Sequence, residues 1–238
     1  MEILNPNLET LTRTAMALEP LLEDLVFVGG TLTGILVSDP GASAVRATKD
    51  VDVIAQIAGY NGYLWANREM SQLGFSPDQT EGAPTCRWRK GELLVDLMGS
   101  EESSFGPTNP WYAEGFAGRT RYNLPATPQG CALAIYGLSA PVWLLTKWVA
   151  FQDRGKRDMV GSQDIEDIIS VLDGRLELPA EISMSSVAVR RGLTDLAKGL
   201  LGSEAFIGHC LPHLGEREEL VIDLLHSLIP GTEPPLTR

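Results

Sequence analysis

Positive charge is scarce in this sequence: 19 Lys and Arg stand against 31 Asp and Glu, a formal charge of −12 at pH 7. That balance excludes a general electrostatic grip on nucleic acid, because the mean field repels phosphate; only local basic clusters remain available. Aromatic residues make up 7% and are scattered, so no repeated base-stacking platform exists. Cysteine is rare too: Cys86, Cys131 and Cys210 are far apart, odd in number and form no CxxC. A disulfide framework is excluded, and a reducing, cytoplasmic setting is the default expectation. His209, Cys210 and His213 lack the spacing and second cysteine pair of a zinc site, and Pro212 interrupts them, so they read as ordinary helix-end residues. The opening Met1-Glu2-Ile3-Leu4-Asn5 has neither the basic nor the apolar region of a secretory signal. The longest weakly charged stretch, Cys131 to Phe151, is broken by Ser139 and Pro141 and holds Lys147. It reads as a buried strand followed by a buried helix rather than a membrane span.

Apolar residues supply 44% of the 238 positions, enough for a sizeable core in one large domain or two small ones. Leu25-Val26-Phe27-Val28 is a short apolar run ended by Gly29-Gly30, a strand entering a turn, and 31–37 reads as a helix opening on it. Asp50 to Ala55 reads as a second strand. Tyr63, Ala66, Met70 and Leu73 fall at helical spacing before Gly74. Cys86–Lys90 and Leu93–Met98 flank Gly91-Glu92 as a hairpin. Residues 99–130 carry Gly, Pro and Asn at short intervals and give no assignment. Beyond Pro141 the period is helical: Ile165, Ile168, Ile169 and Leu172 share a face behind a Ser162 cap, and two further helices follow. The expected organisation is a mixed α/β part over 1–138 and a helical part over 139–238.

Three features can carry chemistry. Gly29-Gly30-Thr31, between strand and helix, either is a plain turn or lets the backbone and a helix N-terminus approach a phosphate. In Asp50-Val51-Asp52 the two carboxylates point to one face of a strand. They are either solvated at the strand entrance or hold a cation between them, and oxygen ligands suit Mg²⁺. Asp96, among Leu93, Leu94, Val95, Leu97 and Met98, either marks the exposed face of an edge strand or is a third carboxylate beside that pair.

Taken together, Phe27-Val28-Gly29-Gly30-Thr31, Arg46-Ala47-Thr48-Lys49-Asp50-Val51-Asp52, Leu73-Gly74-Phe75 and Val95-Asp96-Leu97-Met98 resemble the DNA polymerase β-type nucleotidyltransferase superfamily. With Leu138-Ser139-Ala140-Pro141, Lys147, Arg154, Asp158 and Ser162-Gln163-Asp164-Ile165-Glu166-Asp167, the chain is similar in particular to the AbiEii/MenT-type toxin nucleotidyltransferases over about 25–175. The resemblance implies an α+β fold, a mixed-sheet nucleotidyltransferase core followed by a helical C-terminal part. It implies a Mg²⁺-dependent enzyme that moves an NMP from an NTP to an acceptor hydroxyl. Asp50, Asp52 and Asp96 would hold the metal, with Asp96 also assisting hydroxyl deprotonation. Gly29, Gly30 and Thr31 would hold phosphate oxygens, and Arg46 would neutralise charge nearby. Lys147, read from the sequence as either a snorkelling lysine or a functional one, would bind nucleotide phosphate. Asp164 would support it, while Asp167 reads equally as a solvated helix face.

The resemblance further implies an RNA acceptor, a tRNA 3′ end, and a cognate antitoxin as partner, with no membrane. The alternatives are a small hydroxylated acceptor, as in antibiotic-modifying nucleotidyltransferases, and a non-catalytic regulatory module on the same fold. The acidic balance favours the small acceptor. Convergence of Arg87, Arg89 and Lys90 with Arg119 and Arg121 and with Arg154, Lys156 and Arg157 would favour RNA.

Overall fold

A computed structural model describes residues 5–57, 59–101, 109–125, 133–154 and 158–231. Lys156 and Arg157 of the third basic cluster, and Cys131, lie outside them. The chain forms two compact units. One comprises Asn5–Ile35 and Arg46–Ser139, the other Leu36–Val45 and Ala140–Arg238, each through its described residues.

The first unit is built on one mixed sheet. Its strands are β1 (Leu25–Val28), β2 (Val51–Ala55), β3 (Ser76–Pro77), β4 (Arg87–Lys90), β5 (Leu93–Gly99), β6 (Thr120–Asn123) and β7 (Ala134–Gly137). They lie in the order β3-β4-β5-β2-β1-β7-β6. β2 runs parallel to β5 and β1 to β7, and the other pairs are antiparallel. Helices α1 (Leu8–Ala17), α2 (Gly29–Leu36), α3 (Gly59–Gln72) and α4 (Tyr112–Ala117) accompany it. Because strand side chains alternate, one sheet face collects Leu25, Phe27, Val51, Val53, Trp88, Val95 and Leu97. These pack with Leu11, Ala15 and Leu18 of the α1 region and Ala66 and Met70 of α3 into the main core. The opposite face receives the intervening residues, Asp52 and Asp96 among them.

The second unit is helical: α5 (Ala140–Asp153), α6 (Gln163–Gly174), α7 (Leu178–Met184), α8 (Val187–Leu201) and α9 (Glu218–Ser227). α5 is buried from Ala140 through Trp148 and at Phe151, as a helix apolar all round must be. No helix among the described residues is long and apolar enough to cross a membrane. Ser162 caps α6, its hydroxyl accepting from Ile165 N at 3.4 Å. Residues 36–45 join this unit through backbone bonds: Ser38 N and Asp39 N both donate to Gly174 O, at 2.8 and 2.9 Å. Arg217 fastens the same segment, reaching Asp39 at 2.7 Å and Asp173 at 2.6 Å. His209 and Cys210 lie in a π-helical turn and His213 in the following 3₁₀ turn. The Cys210 thiol donates to Met159 O at 3.4 Å.

Candidate active site

Two of the candidate carboxylates, Asp52 and Asp96, fall in a single register row. Asp52 pairs with Asp96 across the parallel β2–β5 ladder, Asp96 pairs with Arg87 across β5–β4, and Asp52 pairs with Val28 of β1. Directly opposed residues share a face, so Asp52, Asp96 and Arg87 project together, with Asp50 two residues before Asp52 on that side. Asp96 is not an edge residue: β5 lies between β4 and β2, and Asp96 is only 7% exposed.

Such a buried carboxylate needs a partner, and Arg87 provides it. Its Nε donates to Asp96 Oδ1 and its Nη2 to Asp96 Oδ2, both at 2.7 Å, a bidentate fork. Nη2 also donates to Asp50 Oδ2. These bonds, Asp96 foremost, hold the Arg87 guanidinium protonated well above its ordinary range. Burial pushes the neighbouring Cys86 thiol up to about 12, with the charges of Asp96 and Asp52 adding to the effect. Cys86 is therefore an inert packing residue. Arg87, which the sequence groups with Arg89 and Lys90, is the cation of this row.

The segment entering β2 is tied down by Asn7, which is 1% exposed. Its Nδ2 donates to Arg46 O at 2.9 Å, and its Oδ1 accepts from Thr48 N at 2.8 Å. A side chain about forty residues upstream thus fixes the backbone that delivers Asp50. Arg46 Nη1 donates to Ala47 O at 3.5 Å.

Gly29 follows Val28 at the head of α2 with φ +67°. A Cβ there would fall 2.6 Å from Asp52 Cγ and closer still to Oδ2. Glycine is required twice over, by the left-handed backbone and by the Asp52 carboxylate lying against it. Thr31, in the first turn of α2, is wholly buried, and its Oγ1 lacks a hydrogen-bond partner among the described residues. An oxygen acceptor reaching it would satisfy that orphan. Gly29→Ala should cost about 1–3 kcal/mol of stability from strain and overpacking and displace Asp52. Gly91→Ala, at φ +59° with nothing within 4 Å of the added carbon, carries the strain without the clash. Chemical denaturation should show both variants weakened, Gly29→Ala more than Gly91→Ala; equal destabilisation of the two would contradict the close packing of Asp52 on Gly29.

Lys147 belongs to the helical unit, on α5. It is 7% exposed, and its Nζ donates to Asp167 Oδ2 at 2.6 Å and to Asp164 Oδ1 at 3.3 Å. Both aspartates, on the first turns of α6, are 1% exposed. The ammonium also lies 5.6 Å from the Trp143 ring centroid. Arg154 Nη1 is 3.0 Å from Asp164 Oδ2, an ion pair without hydrogen-bond geometry. Lys147 therefore does not snorkel, and Asp167 is not a solvated face: the three form a buried charge cluster.

No protein-family model matches this chain, and no curated protein matches it. Among solved structures it is similar to an antigenic nucleotidyltransferase-like protein from Paracoccidioides brasiliensis, at 20% identity over 91% of this chain and 93% of that one, with a TM-score of 0.46. It is also similar to the antibiotic-resistance factor ANT(2'')-Ia, at 14% identity over 73% and 85% of the respective chains, with a TM-score of 0.43. At TM-scores below one half, such likeness adds nothing to what the residues themselves show.

The described basic clusters are largely committed within the chain. Arg89 pairs with Asp78 at 3.1 Å, and Lys90 lies 5.6 Å from the Phe75 ring. Arg119 stacks between Tyr136 and Phe116, at 4.8 and 5.1 Å, and Arg121 donates to Asn123 at 3.4 Å. The donor set on the acidic row is all carboxylate oxygen, the chemistry a hard divalent cation demands, and the strand register puts Asp52 beside Asp96. Asp50, Asp52 and Asp96 fit Mg²⁺ in donor type. Among the described residues, however, no three acidic, His or Cys side chains converge as a finished cage. Asp50 and Asp96 converge on the Arg87 guanidinium instead.

Proposed function

We propose that this chain is a nucleotidyltransferase that moves a nucleoside monophosphate from an NTP to an acceptor hydroxyl. The observation that carries this reading is the register row: Asp52 and Asp96 side by side, Asp50 adjoining, and Gly29 at the head of α2 against Asp52. Asp50, Asp52 and Asp96 would hold Mg²⁺, which when bound neutralises triphosphate and the charge that builds up during in-line displacement. Asp96 would accept the proton of the acceptor hydroxyl at a carboxylate oxygen. The acceptor oxygen bonds to the α-phosphorus, the bond from that phosphorus to the β-phosphate bridging oxygen breaks, and pyrophosphate leaves. The N-terminus of α2, with Gly30 and Thr31, would hold phosphate oxygens through backbone N–H groups of its first turn. Lys147 would contact nucleotide phosphate with Asp164 and Asp167 orienting it, and Arg46 would offset charge beside the site.

For the acceptor, an RNA 3′ end follows from the toxin-type resemblance, together with a cognate antitoxin. A small hydroxylated molecule is the second reading, favoured by the intramolecular commitment of Arg89 and Arg119. If RNA is the acceptor, few phosphate contacts are available. With about three to five, the slope of log K against log salt should be about −2 to −4. A salt titration with labelled acceptor RNA checks this. A slope steeper than about −6 would contradict the sparse-contact reading. No RNA binding at low salt, with label passing to a small hydroxyl compound, would select the second acceptor class.

A further inference from the structure

We propose that Arg87 is a built-in occupant of the carboxylate site: its guanidinium clasps Asp50 and Asp96 in the metal-free protein and withdraws when a divalent cation binds there, so that Arg87 sets the metal affinity of the site. This rests on reading Asp50, Asp52 and Asp96 as the metal-binding carboxylates.

The geometry carries the inference. Arg87 takes both oxygens of Asp96 and one oxygen of Asp50. A divalent cation needs lone pairs of these same carboxylates aimed at a common centre about 2.1 Å from each donor atom. A guanidinium engaging both Asp96 oxygens blocks that aim, and its charge repels the incoming cation across a partly buried space. The side chains of Asp96 and Arg87 are 9% and 18% exposed, so solvent screens the repulsion poorly. The β4–β5 register fixes the Arg87 backbone opposite Asp96, so no main-chain shift is needed to clear the site. Rotation of the long side chain alone exchanges guanidinium for metal. Such an exchange keeps Asp96 paired throughout: with arginine when metal is absent, with metal when it is present. It also explains why three carboxylates tolerate one another on a single face before any ligand arrives.

The test is Mn²⁺ binding to the full chain, read from the electron paramagnetic resonance signal of free Mn²⁺, for the parent, Arg87→Gln, Arg87→Lys and Asp52→Asn. Melting temperatures in EDTA and in MnCl₂ accompany the titration. Arg87→Gln should bind Mn²⁺ about tenfold or more tighter, as expected when an opposing full charge leaves a poorly screened site. Its melting temperature should fall in EDTA, where Asp96 loses its partner, and recover more with Mn²⁺ than the parent's does. Arg87→Lys keeps a cation but loses the fork, and should fall between. If it too binds no tighter than the parent, the loss of bidentate competition is ruled out even should Arg87→Gln fail to fold. Equal or weaker binding in the Arg87 variants, with parent binding abolished in Asp52→Asn, would overturn the proposal and keep the metal site, since Arg87 would then be a spectator or an aid to the ligands. Mn²⁺ bound by neither the parent nor any variant would overturn the metal-site reading itself.

Discussion

Asp52→Ala is expected to abolish nucleotidyl transfer, lowering the rate by a factor of about a hundred or more, while the protein folds as before. The loss follows from removing several kcal/mol of charge stabilisation, each ~1.4 kcal/mol being tenfold in rate. Retained folding follows from the local geometry. Asp52 shares a face with two other carboxylates, and the bonds of Arg87 to Asp50 and Asp96 remain when it is replaced. One of three mutually repelling charges disappears, and the apolar strand residues Val51 and Val53 keep their places in the core. A calorimetric scan in EDTA should place the variant's melting temperature at or above the parent's. More than about a hundredth of parental activity would rule out the carboxylate site as the seat of the reaction.

Lys147→Met should produce the largest stability loss. Met preserves most of the apolar stem, so on the sequence alone packing would be expected to survive. The buried cluster changes that expectation. Removing the ammonium takes away the buried cation that Asp164 and Asp167, each 1% exposed, both contact. Deleting one member of a buried ion pair costs about 3–5 kcal/mol. For a chain of this size that is a fall of roughly 6–20 °C in melting temperature. Adding Asp167→Asn to Lys147→Met should restore part of it, because the closer carboxylate, at 2.6 Å, is then neutral. A single variant that melts with the parent would mean that the cluster is solvated in solution. Below the melting transition, KM for NTP should rise about tenfold if the ammonium also contacts phosphate; an unchanged KM would confine Lys147 to its structural role.

Local patterns made much of this legible. Alternation in Asp50-Val51-Asp52-Val53 puts the two carboxylates on one strand face, and the structure packs Val51 and Val53 with Val95 and Leu97 in one core. The hairpin turn at Gly91-Glu92 already implies that residue 87 faces residue 96, since a two-residue turn fixes the register. Its consequence for Arg87 is hidden because the residue sits in a basic run with Arg89 and Lys90. Asp167 stays undecided in the sequence for a related reason. Charge argues for exposure, and only the approach of α5 to α6 supplies the buried lysine that overrides it. Nonlocal facts left no mark in the sequence. The strand order that sets β1 between β2 and β7 is one, and the joining of 36–45 to the helices through Gly174 and Arg217 is another. The Asn7 tether to Arg46 and Thr48 is a third, since one asparagine near a helix start reads only as a cap. In 99–130, α4 and β6 are short and lie among turn residues that mask their periodicity.

The central claim, transfer of a nucleoside monophosphate by the Asp50–Asp52–Asp96 row, is tested most directly by following label position. Parent and Asp52→Asn are incubated with Mg²⁺ and each NTP, labelled at either the α- or the γ-phosphate, together with total RNA or a panel of hydroxylated small molecules. Label from the α-phosphate should pass to an acceptor and label from the γ-phosphate should leave in pyrophosphate, with neither event in Asp52→Asn. Transfer of the γ-label to the acceptor, or α-label transfer that Asp52→Asn leaves intact, would contradict the account.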